Sequence, residues 1–345
     1  METPRALTKY PLRSRGLNRI LYFHGKPSVV KFTLQYPIAH AGYSRAFLSA
    51  EGMREVVVAA ETAGFDSVAF TEHPAPSQKW MAGGGHESFD PLTALALCAG
   101  VSSTIRLQTY LLVLPYRNPF LAAKQATTLD VLSGGRLILS VGTGYLRSEF
   151  LALGVNFEER NALFDEALEV MRRSWSEEDV VYDGLHFKAL GQTQRPRPAG
   201  SGPTIWMGGN GKRARERAAR HGNGWTPLLI APEMAKTTRT APLRTPDELH
   251  RAIENLHELA AAEGRDGCGL DIQVEWRDSS SISAAPDQIL ERVNQLSGAG
   301  ATWMVVDPPG EDVGHTVELI AAYGESIIAH ASPNTIAGYV TPSSH

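Results

Sequence analysis

Cysteine is scarce. Cys98 and Cys268 are the only two, far apart and without metal-ligand spacing. That argues against a disulfide framework and suits a reducing cytoplasm. A basic excess is missing too: the formal net charge is −4, against the habit of general nucleic-acid binders. No apolar run is long enough to span a bilayer, so no membrane segment is expected. The chain also lacks GxxxxGKS/T, GxSxG, HExxH and CxxC. Nucleotide hydrolysis, triad-based esterase chemistry and zinc catalysis therefore lose support. His73 and His86 share a loop without metal-ligand periodicity, and no metal site is expected.

What is present is ample apolar material. Of 345 residues, 43% are hydrophobic and 20% charged, enough for one large or two ordinary domains with a substantial core. Residues 1–28 stand apart. They are basic, with Glu2 their only acid, and lack the apolar stretch of a signal peptide. They read as a loose tail; a transit-like or membrane-touching segment, or a start extended upstream of Val30, are the alternatives. Residues 331–345 read as a second tail, which leaves 29–330 as the folded domain.

Within that domain, strand-like runs alternate with helical patterns. The runs are Val30–Tyr36, Ser67–His73, Ile105–Pro115, Arg136–Gly142, Pro203–Gly209, Gly224–Ile230, Asp271–Trp276 and Thr302–Asp307. A helical pattern follows each. Strands apolar on both sides indicate a parallel sheet covered by helices. Eight such units fit a (β/α)8 TIM barrel with loop insertions; a doubly wound open sheet is the competing fold. Glycines at Gly64, Gly134–Gly135, Gly222 and Gly298 are expected as left-handed helix stops. VVYDGLHFK (Val180–Lys188) predicts a β-hairpin outside the alternation.

Barrel sites lie at the C-terminal ends of the strands. After the second strand comes His73, a candidate acid/base with a pKa near neutrality, although a loop histidine is more often structural. The same loop carries Trp80, a flat face for an aromatic ligand or a lid over the core, and Gly83–Gly85, which suggest mobility. After the fourth strand comes GTGY. Arg147 stands where a dinucleotide fingerprint needs its third glycine, so a tight turn or a close approach to a planar ligand are the readings. After the fifth strand comes GGNGKRARERAAR (Gly208–Arg220). Its glycines and Asn210 would place N–H groups at a helix start, an anion site by geometry and dipole. Lys212, Arg213 and Arg215 add charge, and no acid precedes Glu216. A solvated basic helix face is the bland alternative.

FTEHPAP, LLVLPYRNPFLAAKQATTLDVLSGGRLILSVGTGYLRSEFLALGV and PTIWMGGN…RAARHGNGW together resemble the bacterial luciferase-like flavin and deazaflavin family, in its actinobacterial F420-dependent branch. The resemblance runs from about Val30 to His330. It implies a TIM barrel with coenzyme F420 across the strand ends, FMN with oxygen being the alternative cofactor chemistry. It places the cofactor phosphate at Gly208, Gly209, Asn210 and Gly211, the active-site histidine at His73 and a deazaflavin-branch tryptophan at Trp80. It further implies a non-prolyl cis peptide joining Tyr110 and Leu111 under the ring. Gly142, Thr143, Gly144 and Tyr145 would line the ring-facing part of the pocket. One position departs: the sugar-phosphate dehydrogenases of this class have a glutamate where this chain has Tyr145. A phenol is a poor proton carrier at neutral pH, so sugar dehydrogenation is in doubt and the substrate stays open.

The expectation is a cytoplasmic F420-dependent oxidoreductase acting on a small organic molecule, with His73 as acid/base and Arg147 and Arg215 at the rim near the coenzyme's acidic tail. An FMN-dependent monooxygenase and an idle flavin-binding barrel are the rivals. No nucleic-acid or membrane partner is expected; relatives are often dimers, so a homodimer is one option.

Overall fold

The computed structural model describes residues 30–331 except 41, 199, 231, 277–281 and 283. The expectations for residues 1–28, and for the tail beyond Ala331, lie outside the described residues.

The staves are β1 (Lys31–Gln35), β2 (Ser67–Phe70), β3 (Arg106–Val113), β4 (Leu137–Gly142), β7 (Thr204–Gly208), β8 (Gly224–Thr226) continued by β9 (Leu228–Leu229), β10 (Asp271–Trp276) and β11 (Trp303–Val306). They pair in that order, all parallel, and β11 pairs back to β1. The closed barrel, rather than the open sheet, is the fold. The outer helices are α1 (Ala50–Thr62), α3 (Pro91–Val101), α4 (Pro119–Ser133), α6 (Arg160–Ser176), α7 (Lys212–His221), α9 (Pro246–Ala262), α10 (Pro286–Gly298) and α11 (Val313–Tyr323). Three short helices decorate the loops: α2 (Gln78–Ala82), α5 (Arg147–Ala152) and α8 (Pro232–Thr238). The hairpin β5 (Val180–Asp183) and β6 (Lys188–Gln192) is present. Its turn takes residues 184–187, longer than Asp183-Gly184 alone, because Gly184 N–H closes onto the Phe187 carbonyl at 3.0 Å.

Strand residues alternate between barrel interior and helix layer. On β1, Phe32 and Leu34 are fully buried in the main apolar core, and Phe32 meets Tyr323 of α11 edge-on at 5.8 Å. The inward residues are more polar than the runs suggest. Gln108 and Gln273 join across the barrel at 2.7 Å. Thr33, Ser140 and Thr226 hydrogen-bond to that pair. Below lies a small apolar plug of Ile138, Trp206 and Trp303. This satisfied network crosses the interior and makes it a packed floor, since buried polar groups persist when every member is paired.

Two of the expected helix stops differ. Gly134 and Gly135 are left-handed, with φ of 70° and 84°, as is Gly64 at 87°. Gly222 instead has φ −82°; it is needed for space, since a Cβ there would stand 3.0 Å from the carbonyl oxygens of Ala218 and Gly224. Gly298 is the last residue of α10, and the left-handed position is Gly300 at φ 107°. Among the described residues no helix is long and apolar enough to cross a membrane.

Candidate active site

The loops after β2 and β4 meet over one side of the barrel mouth. His73 follows β2, and its backbone is held by Ser88, whose Oγ accepts from His73 N–H at 2.8 Å. The stretch expected as a mobile loop contains α2. Ser77 caps that helix by accepting from Trp80 N–H at 3.3 Å. The turn brings the Trp80 ring to 4.4 Å from the His73 ring and folds His86 to 5.1 Å from it. Tyr145, from the GTGY loop, stands edge-on at 6.0 Å.

Beneath His73 lies a carboxylate. Glu149 of α5 is 1% exposed, and its Oε2 is 3.4 Å from His73 Nδ1. Tyr116 O–H donates to the same oxygen at 3.0 Å, and Ala75 N–H to Oε1 at 3.3 Å. An ionised carboxylate only accepts, so it selects the tautomer with hydrogen on Nδ1 and leaves Nε2 for chemistry. Burial, then the charge and hydrogen bond of Glu149, push the Tyr116 phenol well up. Next to His73, Glu72 is also buried, accepting from Val113 N–H and from Arg117. Burial raises its carboxyl to about 7, against the pull of Arg117 and the Val113 N–H.

The floor is set by β3. The peptide between Tyr110 and Leu111 is cis, and the β3–β4 register shifts between Thr109 and Leu112. Leu111 thereby leans over Gly142 and Gly208; a Cβ on either glycine would sit 2.6 or 2.5 Å from its Cδ1. The first glycine of GTGY thus gives the Leu111 side chain room to lie over it. The second, Gly144, is left-handed at φ 72° and packs on Val113 and Phe150. The residues of this loop that border the mouth are the half-buried Thr143 and Tyr145. Tyr110 O–H donates to the buried Glu275 of β10 at 3.1 Å.

A family model described as luciferase-like monooxygenase matches residues 30–277. The chain belongs to the luciferase-like monooxygenase family. Among luciferase-like relatives, the F420-dependent glucose-6-phosphate dehydrogenase of Intrasporangium calvum is 28% identical over 318 residues, covering 79% of this chain and 93% of that protein. The F420-dependent hydroxymycolic acid dehydrogenase of Mycobacterium tuberculosis is 29% identical over 277 residues, covering 76% and 74%. The monooxygenase RslO1 of Streptomyces bottropensis superposes with a TM-score of 0.70 at 21% identity, covering 88% of this chain and 100% of that one.

The other side of this luciferase-like mouth is built differently. Gly209 is left-handed at φ 106°, and α7 begins at Lys212 with no side-chain cap. The N–H groups of Gly211, Lys212 and Arg213 donate to no described residue, which leaves an open positive helix end. Asn210 does not join them. Its N–H donates to Thr240 Oγ1 at 2.9 Å; its side chain donates to the carbonyls of Leu228 and Ala241 and accepts from Leu228 N–H. It braces the loop instead of facing a ligand. Arg215 is a brace too, holding the Asn210 carbonyl at 2.7 Å and Asn255 at 3.0 Å. A groove of about 990 Å3 between α6, the hairpin and α7 lies on the outer wall, away from His73.

Sequence reasoning missed Glu149 and His86. The signal for Glu149 was an acid in the first turn of the short helix that follows the GTGY loop. The signal for His86 was Ser77, an N-cap ahead of QKWM that turns the loop back.

Proposed function

We propose that the chain is a coenzyme F420-dependent oxidoreductase that transfers a hydride to or from a small organic substrate, with residues 29–330 as the catalytic unit. The observation that carries the reading is the pairing of His73 and its buried Glu149 with the open α7 start across the same mouth. The F420-dependent names of the Intrasporangium and Mycobacterium relatives support the choice of cofactor. The residues fit such a group. Leu111 offers an apolar floor, Trp80 and Tyr145 are flat walls, and α7 offers N–H groups to a phosphate. Gln35 Oε1, buried at the end of β1, has no hydrogen-bond partner among the described residues, which suits an N–H on a ring edge.

When bound, the coenzyme would supply a carbon that gives or takes hydride. His73 Nε2 gives or takes the proton at the substrate oxygen. Glu149 keeps His73 in that tautomer and steadies the imidazolium. Trp80 and Tyr145 exclude water from the transfer. Gly211, with the N–H groups of Lys212 and Arg213, would hold the phosphate, with Gly208 and Gly209 shaping the turn, since Gly209 N–H is given to the Thr226 carbonyl at 3.3 Å; Tyr110 and Leu111 would support the ring. Tyr145 in the place of the dehydrogenases' glutamate points to a substrate other than a sugar phosphate. We further propose a cytoplasmic enzyme; a homodimer is the assembly to test by sedimentation.

FMN-dependent monooxygenation is the second reading, favoured by the fold shared with RslO1. Titrating the purified protein with each cofactor separates the two. Quenching of coenzyme F420 fluorescence at micromolar protein, with weak FMN binding, is expected. Tight FMN binding without F420 binding overturns the proposal.

A further inference from the structure

The adjoining ends of β1 and β11 carry a carboxylate that the proposed chemistry leaves unused. These strands pair with Lys31 beside Trp303 and Thr33 beside Val305, so at the next like-facing position Gln35 stands beside Asp307. Thr33 faces the barrel interior, where it accepts from Gln273 Nε2 at 2.8 Å. By the two-residue period of a strand, Gln35 and Asp307 face inward as well, one layer nearer the mouth. Each carries a buried acceptor with no hydrogen bond among the described residues, Gln35 Oε1 and Asp307 Oδ1. Gln35 is 2% exposed and the Asp307 side chain 15%.

His40, in the loop after β1, brings its Nε2 to 2.9 Å from Asp307 Oδ1. The contact is close but not aligned as a hydrogen bond, since Oδ1 is left without one. The plain reading is an ion pair that pins the loop. Yet the loop is pinned without it. Ser44 N–H donates to the Gly310 carbonyl at 2.6 Å, and Tyr43 O–H donates to Glu87 beyond α2. A Cβ on Gly310 would collide with the Pro37 carbonyl, so the loops after β1 and β11 pack backbone to backbone. Two adjacent buried acceptors left unmet are a cost that folding alone does not explain. A hydrogen-bond donor arriving from the mouth would remove it.

A flavin-type ring edge presents one N–H between two carbonyls. It suits the Gln35 amide, but its carbonyls would repel a carboxylate at the neighbouring position. We infer that Asp307, with His40 at its side, is a specificity-determining residue that takes a hydrogen-bond donor of the substrate, an amine or a second hydroxyl near the reacting carbon. The charged acceptor strengthens that bond and turns away a carboxylate or phosphate at the same place. The inference rests on the proposed oxidoreductase reading and names its substrate class. It agrees with Tyr145, which points away from sugar phosphates.

The test offers the protein with coenzyme F420 four secondary alcohols that differ in one neighbouring group: 1-amino-2-propanol, 1,2-propanediol, 2-propanol and lactate. The amine or the diol should exceed 2-propanol in kcat/KM by about ten- to a hundredfold, the worth of a hydrogen bond to a charged group. Lactate should be the poorest. In Asp307→Leu the preference should collapse, mainly through KM; in Asp307→Asn the diol should lose less than the amine. A preference for the amine assigns the donor to a cation, and equal or greater use of the diol assigns it to a hydroxyl. No preference in the wild type, or one kept in Asp307→Leu, overturns the inference. Thermal melts give a second readout. Asp307→Leu should melt at or above the wild type, because it removes an unmet acceptor and only a half-exposed ion pair; a drop of several degrees would make the pair structural and overturn the inference. Where none of the four is oxidised, 1-amino-2-propanol and 1,2-propanediol are titrated onto the protein while the His40 ring C–H signal is followed by NMR. A shift lost in Asp307→Leu supports the site, and no shift overturns it. Failure of coenzyme F420 to bind sinks the function reading alone, and the NMR titration on the free protein still decides Asp307.

Discussion

The two sides of the barrel mouth are built from different groups. The side built from the loops after β2 and β4 gathers ionisable side chains: buried carboxylates Glu72 and Glu149, the His73 imidazole and the Tyr116 phenol contact one another or adjacent backbone, largely out of water. The side built from the loops after β7 and β9 carries fixed charge: glycines, open N–H groups at the start of α7 and Arg239 at the rim. The first is sensitive to pH through Glu72, whose carboxyl burial raises to about 7. The second keeps its charge at any working pH and answers to salt instead. Substitutions that act on one side alone break or sharpen this division.

The largest effect is expected from His73→Ala. Removing a positioned acid/base costs about 10²–10⁴ in rate, so kcat with coenzyme F420 and a competent substrate should fall by that factor. The coenzyme dissociation constant should change by only a few-fold, because the proposed phosphate position lies across the mouth. An unchanged kcat would remove His73 from the chemistry.

Asn210→Ala should be next, and it probes the opposite side. The buried amide makes three hydrogen bonds, to Leu228 N–H, the Leu228 carbonyl and the Ala241 carbonyl. Truncation leaves those groups without this partner, at a cost of about 2–4 kcal/mol. Thermal melts should show a drop of several degrees, and coenzyme affinity should weaken with kcat at saturation largely kept. A variant as stable as the wild type would show that the brace is dispensable.

This division explains what was legible in the sequence. The eight staves could be read from apolar runs of strand length, and His73 from its place after one of them. Gly209 and Gly211 could be read because an exposed turn depends on local backbone chemistry. The role of Asn210 could not, since its partners Leu228, Thr240 and Ala241 are 18 to 31 residues away. Glu149 was hidden for the same reason: its link to His73 spans 76 residues. The polar interior of Thr33, Gln108 and Gln273 was obscured because each glutamine is a single residue in a strand-like run, and only barrel closure brings them together across 165 residues. Gly222 shows the reverse case, a glycine read as a left-handed stop whose actual reason is a crowded crossing.

The smallest of these effects tests whether pH acts on the His73 side through Glu72. Its carboxyl has an ordinary value of 4.5 and is raised to about 7 in the folded protein, burial being the main cause. Between those values the folded state keeps a proton that the unfolded state has released, so rising pH favours unfolding. The stability from this group is therefore full below about pH 4.5 and is lost as pH rises through 7. Glu72→Gln removes the titration while keeping an acceptor for Val113 N–H, and Arg117 retains Asp90 at 2.9 Å. Denaturant unfolding across that window should show a slope flatter in the variant by about 1–3 kcal/mol in total. Salt should leave this difference nearly untouched, because the group is buried beyond the reach of screening. A wild type and variant with parallel pH profiles would mean that Glu72 is ionised throughout, held by Arg117, and that the proton-handling side contains one fewer titrating group.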